Sequence, residues 1–223
     1  MIKAVVFDLD GLLVDSEPLA KQSWSAVLVK YGRAMDAATA EATFGLRLDD
    51  SARLIQERFG IPAPAQQLAE ERHQMVLSML EELRPMPGLL DMLRAVDDRG
   101  LRRAVATSSG SRYAPAALHA VGAADGFAAI ITGDMVNQGK PAPDVYLAAA
   151  NAMQLAPDEC LAVEDSPNGV QSACEAGMIC VAIPNHLTVR LDLSAAHWRF
   201  TSLEVLAANL DSVLAVHGAS PAE

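Results

Sequence analysis

A chain of 223 residues, 51% hydrophobic and 20% charged, can bury a proper core as one domain or as a domain with an insertion. Its formal charge of −11, with lysine only at positions 3, 21, 30 and 140, argues against nucleic acid as a partner. No apolar run approaches the ~20 residues that span a bilayer, and the start "MIKAVVFDLD" lacks a signal peptide's apolar stretch, so a cytoplasmic monomer with no membrane partner is expected.

The first predicted element is a buried strand, "KAVVFD", over 3–8. It runs into "FDLDGLLVDSE", where Asp8, Asp10, Asp15 and Glu17 crowd like charges into one turn. That is costly unless a cation or a chemical task needs it. Residues 17–84 then leave the strand rhythm. Ala20, Trp24, Val27, Leu28 and Tyr31 share one helical face, "LDDSARLIQERFG" reads as a second helix, and Val76, Met79, Leu80 and Leu83 line a third. The economical reading is an inserted helical subdomain over 16–87, with 1–15 and 88–223 forming the surrounding core. Trp24, Met75 and Met79 are expected to pack between the inserted helices.

From residue 87 onward helices and strands alternate. "PGLLDMLRAVDDRG", "SRYAPAALHAVGA", "PDVYLAAANAMQL" and "SPNGVQSACEAGM" read as helices. Between and after them come the strands "RRAVAT" (102–107), "AAIITGD" (128–134), "CLAVED" (160–165) and "ICVAIP" (179–184). Pro143 and Pro167 suit first helical turns, and Gly100 and Gly177 suit helix ends. The pattern predicts an α/β fold: a doubly wound, Rossmann-like parallel sheet with helices on both faces. Fraying is expected in the tail "HGASPAE". Cys160, Cys174 and Cys180 are odd in number and lack CxxC spacing, which points to reduced, structural thiols.

Chemistry-bearing residues follow the apolar runs. Asp8 ends the first strand, Thr107 the second, and Glu164 with Asp165 the fourth, while Lys140 comes shortly after the third in "NQGKPAPD". In a doubly wound sheet the carboxyl ends of the strands share one edge, where ligands bind. Carboxylates at Asp8 and Asp165, with a main-chain carbonyl and waters, suit the oxygen octahedron of magnesium. One carboxylate can attack phosphorus. Thr107 and the turn "TSSGS" offer a hydroxyl and backbone N–H groups to phosphoryl oxygens. Lys140 adds a compact positive charge, and Asp10 can pass a proton to the leaving oxygen. Each motif alone has an ordinary reading as a turn, a surface lysine or a helix cap at Ser166 and Pro167; their coincidence at separate strand ends favours a site.

"DLDGLLVDSE", "ATSSG", "GKPAPDVYL" and "VEDSPNGV" resemble the four ordered motifs of the haloacid dehalogenase superfamily, and more narrowly its β-phosphoglucomutase-like and sugar-phosphatase branch. The resemblance covers nearly the whole chain. It implies a helical cap inserted after the first motif and a magnesium-dependent phosphatase that hydrolyses a small phosphate monoester through an aspartyl phosphate. It makes Asp8 the nucleophile and Asp10 the general acid/base, with Asp8, Asp10 by its carbonyl, Asp165 and nearby Glu164 around the metal. Thr107, Ser108 by its N–H, and Lys140 would hold the phosphoryl group, and Arg47 of the cap would reach the substrate. The rival on the same scaffold is a phosphosugar mutase. Ala20 stands where the mutases carry a histidine, and "EERHQ" where they carry a cap lysine, which favours the phosphatase. A response-regulator receiver shares the acids, hydroxyl and lysine, but needs no helical insertion.

Overall fold

The structure is a computed structural model and describes residues 1–43 and 45–216; the tail at 217–223 lies outside them. Strand β1 (Ala4–Phe7) is fully buried and leads into β2 (Val14–Asp15). Four helices follow: α1 (Glu17–Lys30), α2 (Ala37–Thr43), α3 (Leu48–Phe59) and α4 (Ala65–Ser78). Strand β3 (Arg84–Pro85) then pairs antiparallel with β2, Val14 opposite Pro85 and Asp15 opposite Arg84. This two-stranded ribbon ties together the points where the chain leaves and re-enters the main sheet.

The remainder alternates. In order come α5 (Leu89–Asp97), β4 (Arg102–Ala106), α6 (Ala114–Ala120), β5 (Ala129–Ile131), α7 (Asp144–Ala152), β6 (Cys160–Glu164), α8 (Pro167–Glu175), β7 (Ile179–Ala182), β8 (Trp198–Arg199) and α9 (Leu203–Val216). The six-stranded sheet has the order β5-β4-β1-β6-β7-β8, and each neighbouring pair is parallel. The predicted α/β fold is thus the observed one.

Alternation along the buried strands divides the core in two. Val5, Phe7, Val105, Leu161, Val163 and Val181 point to one face, against Leu89, Met92, Leu118, Leu206 and Leu210. Ala4, Val6, Ala104, Ala106, Ala162 and Ala182 point to the other, against Tyr146, Ala149, Val170 and Ala173. The small side chains on that second face let α7 and α8 approach the strands closely, which brings Tyr146 within reach of the strand ends. Burying Phe7 alone contributes roughly 1.5–3 kcal/mol.

Trp24, Val27, Leu28, Ala52, Ile55 and Leu68 form a separate cluster among the inserted helices. Trp24 therefore packs where expected. Met75 and Met79 do not: with Val76 and Leu83 they join the first core cluster, so the end of α4 anchors the insertion to the sheet domain. Apolar spacing identifies a buried face but not the partner that buries it. All three cysteines are free thiols. Among the described residues no helix is long and apolar enough to cross a membrane.

Candidate active site

Strand register builds the site. Phe7 lies opposite Val105 on one side and Val163 on the other, so Asp8, Ala106 and Glu164 sit level at the carboxyl edge of the sheet. The Asp8 N–H continues the ladder by donating to Val163 O at 3.0 Å. One strand further, Thr107 N–H donates to Ile131 O at 3.0 Å.

Lys140, in the loop between β5 and α7, enters this edge and is buried. Its Nζ donates to Asp8 Oδ1 at 2.6 Å, Glu164 Oε1 at 2.5 Å and the Ala106 carbonyl at 2.9 Å. Burial opposes the ammonium, but Asp8 and Glu164 outweigh it and hold Lys140 protonated above the ordinary lysine range. Tyr146, beneath Lys140, donates to Glu164 Oε1 at 2.8 Å. The other Glu164 oxygen accepts from Asp165 N at 3.0 Å, Ser166 N at 3.2 Å and Ser166 Oγ at 3.1 Å. Ser166 in turn caps α8 by accepting from Gly169 N, with Pro167 in the first turn.

Glu164 is therefore occupied on both oxygens, although one oxygen from each of Asp8, Glu164 and Asp165 lies within 4.8 Å of the others. Its neighbours make it a tether for Lys140 and for the start of α8. Asp8 and Asp165 each keep one carboxylate oxygen that accepts no hydrogen bond among the described residues. Burial, opposed by Lys140 and reinforced by Glu164 and Asp10, pushes the Asp8 carboxyl up to about 8. Burial, then Glu164 and Asp8, raises Asp165 well above the usual carboxylate range. Two buried carboxyls driven toward protonation, each with a spare oxygen, fit a hard divalent cation, which would restore their charged forms.

Asp165 Oδ2 accepts from Asn185 Nδ2 at 2.7 Å, and the same amide donates to Gly11 O at 3.1 Å. Gly11 has a φ of 80°, and a Cβ there would meet Asn185 Nδ2 at 2.6 Å and Asp165 Oδ2 at 2.7 Å. The turn after Asp10 therefore closes against the last acid of the cluster only because residue 11 has no side chain.

Asp10 turns away from Asp8 toward the loop after β4. Its Oδ2 accepts from Ser109 Oγ at 2.6 Å and Thr107 Oγ1 at 3.4 Å, and its Oδ1 accepts from Tyr113 OH at 3.2 Å. Thr107 Oγ1 also accepts from Ser109 N at 3.0 Å, which shapes the loop around Ser108. Arg47, just before α3, reaches across to the loop after β5. Its Nη1 donates to Gly133 O at 3.5 Å and Asn137 O at 3.4 Å, and its Nε pairs with Asp50 at 3.0 Å. In this arrangement its donors meet main-chain carbonyls at the rim.

The structure thus gathers Asp8, Asp10, Thr107, Ser108, Lys140, Glu164 and Asp165 at one sheet edge, with Arg47 at the border. Sequence reasoning missed Ser109, Tyr113, Tyr146 and Asn185. "TSSGS" carried the signal for Ser109; a tyrosine on a core-facing helix reads as packing.

Comparison with known proteins points the same way. A family model described as haloacid dehalogenase-like hydrolase matches residues 2–177. The putative phosphatase YhcW of Bacillus subtilis is 33% identical over 189 residues, 84% of this chain and 86% of that protein. The fructose-1-phosphate phosphatase YqaB of Escherichia coli is 34% identical over 180 residues, 80% of this chain and 95% of that protein. A crystal structure of CbbY from Rhodobacter sphaeroides in complex with phosphate superposes with a TM-score of 0.84 at 26% identity, covering 95% of this chain and 100% of that one.

Proposed function

Because the chain belongs to the haloacid dehalogenase-like hydrolases, we propose that it is a magnesium-dependent phosphatase acting on a small phosphate monoester, a sugar phosphate or similar metabolite. The observation that carries this reading is Asp8, held at 2.6 Å by a buried lysine and facing Asp165, with a second aspartate two residues on. Residues 16–87 serve as the cap, and 1–15 with 88–223 as the core.

Asp8 attacks phosphorus through Oδ1, the oxygen beside Lys140, leaving Oδ2 to the cation, while the bond to the leaving oxygen breaks and Asp10 gives that oxygen its proton. Water then attacks the phosphorus of the aspartyl phosphate and surrenders a proton to Asp10, which frees Asp8 and inorganic phosphate. The donors around Asp10, Ser109 and Tyr113, support this role by holding its carboxyl on the leaving-group side. Lys140 neutralises the nucleophile and the arriving phosphoryl oxygens. The Ser108 N–H and the Thr107 hydroxyl bind the equatorial oxygens. Asp8, Asp165 and the Asp10 carbonyl would hold magnesium, which supplies positive charge against the carboxylates and the phosphoryl group. Glu164 acts through Lys140.

The test is phosphate release from an aryl phosphate. Activity should vanish with chelator and return with added magnesium; full turnover by metal-stripped protein contradicts the proposal.

A further inference from the structure

The loop that follows β7 crosses the acidic edge at Asn185, and the hydrogen bonds there leave its amide a single orientation. Oδ1 accepts from Leu187 N at 2.9 Å, Thr188 N at 3.2 Å and Thr188 Oγ1 at 3.4 Å. Asn185 N in return donates to Thr188 Oγ1 at 3.0 Å, which interlocks the turn. Thr188 is fully buried although Leu187 and Val189 on either side are exposed, so this turn is fastened to the body of the domain. The two Nδ2 protons go to Asp165 Oδ2 at 2.7 Å and Gly11 O at 3.1 Å. Exchanging the amide oxygen and nitrogen would set donors against the Leu187 and Thr188 N–H groups, and an oxygen against a carboxylate.

The two acceptors belong to the two segments that carry the acids and carbonyl assigned to magnesium above. The bond to Asp165 Oδ2 fixes the rotation of that carboxyl and leaves Oδ1 as its spare oxygen. The peptide that carries the Asp10 carbonyl is pinned by Gly11 N, which donates to Val14 O at 2.8 Å, and Asn185 holds the next peptide through Gly11 O. One amide thus sets the separation between the end of β6 and the turn after β1. Both of its donors are spent on protein acceptors, so any effect on chemistry passes through Asp165 and the turn.

We propose that Asn185 is a positioning residue for the cation: by holding Asp165 and the turn after Asp10 in one fixed relation, it prepares both to ligate magnesium. This rests on the metal-dependent phosphatase reading above. Without the amide, Asp165 Oδ2 has no partner among the described residues and the carboxyl is free to turn. Binding must then also order the carboxyl, which weakens it.

Calorimetric titration of magnesium alone into metal-free protein reads this directly, with a thermal melt of each metal-free variant. Asn185→Ala removes both the amide and the turn acceptor. Asn185→Ser keeps an oxygen for the turn but cannot reach Asp165. Both should weaken magnesium binding by about tenfold. Thr188→Val loosens the same turn while leaving the Asn185 amide held by the Leu187 and Thr188 N–H groups. It should lower the melting temperature yet keep magnesium affinity within about threefold of the wild type. Phosphate release from an aryl phosphate by Asn185→Ser should recover to within about threefold of the wild type at saturating magnesium, because the lost donors touch no substrate. Unchanged magnesium affinity in both Asn185 variants, an equal loss in Thr188→Val, or turnover that excess magnesium does not restore overturns the proposal. A wild type that binds no magnesium fails the phosphatase reading itself, and the role of Asn185 with it.

Discussion

Glu164→Gln separates two roles that an acid in this cluster could have. The carboxylate accepts from Lys140 at 2.5 Å and Tyr146 at 2.8 Å on one oxygen, and from Asp165 N, Ser166 N and Ser166 Oγ on the other. A glutamine is nearly isosteric but can present an oxygen to only one of these sets. If its amide nitrogen takes the Oε1 position, it faces the Lys140 ammonium, and a buried contact between two donors replaces a charge-assisted bond. Lys140 keeps Asp8, so the loss is smaller than breaking a whole buried pair: about 1–3 kcal/mol. For a chain of this size that lowers the melting temperature by roughly 2–4 °C per kcal/mol. Melts are to be run on metal-free protein, alongside magnesium titrations of phosphatase activity. The expected result is a lower melting temperature with a magnesium requirement changed less than about threefold. Asp165→Asn, by contrast, should raise the magnesium requirement by about tenfold or more. An unchanged metal-free melt in Glu164→Gln, together with a large rise in its magnesium requirement, would refute the tether and make Glu164 a ligand.

Gly169→Ala should destabilise by about 1–3 kcal/mol, since its Cβ would overlap the Glu164 carboxylate; an unchanged urea midpoint would contradict this packing. Arg47→Ala removes the bonds to Gly133 O and Asn137 O and should lower kcat/KM roughly fivefold on every substrate. A loss confined to one substrate would instead mean that Arg47 contacts the leaving group. Incubation with β-glucose 1-phosphate, magnesium and a trace of the bisphosphate should yield inorganic phosphate. Steady formation of glucose 6-phosphate, with negligible phosphate release from any monoester, would favour the mutase.

Asp8, Thr107, Lys140 and Asp165 were legible in the sequence because apolar strands announce their own ends, and a parallel sheet brings those ends to one edge. The partners that tune them were not. Tyr146 occupies a helix position that packing alone would explain, and its bond to Glu164 depends on how closely α7 lies on a face of alanines. Asn185 belongs to a loop whose approach to Gly11 follows from tertiary closure rather than from any local pattern. The ribbon β2–β3 and the edge strand β8 are each two residues per strand, too short for an alternating signal. Helix α9 was missed although Leu203, Leu206, Leu210 and Val213 give a readable apolar stripe.

The central claim is that Asp8 takes the phosphoryl group and Asp10 moves the protons. Asp10→Asn should slow steady turnover by roughly 100- to 10,000-fold while leaving the first attack possible on a good leaving group. Quenching that variant during reaction with an aryl phosphate, then mapping the modified peptide by mass spectrometry, tests the claim most directly. A hydroxylamine-labile phosphoryl group on Asp8, absent from the Asp8→Asn protein, is the predicted result. Phosphate on any other residue, or undiminished turnover by Asp8→Asn, would contradict it.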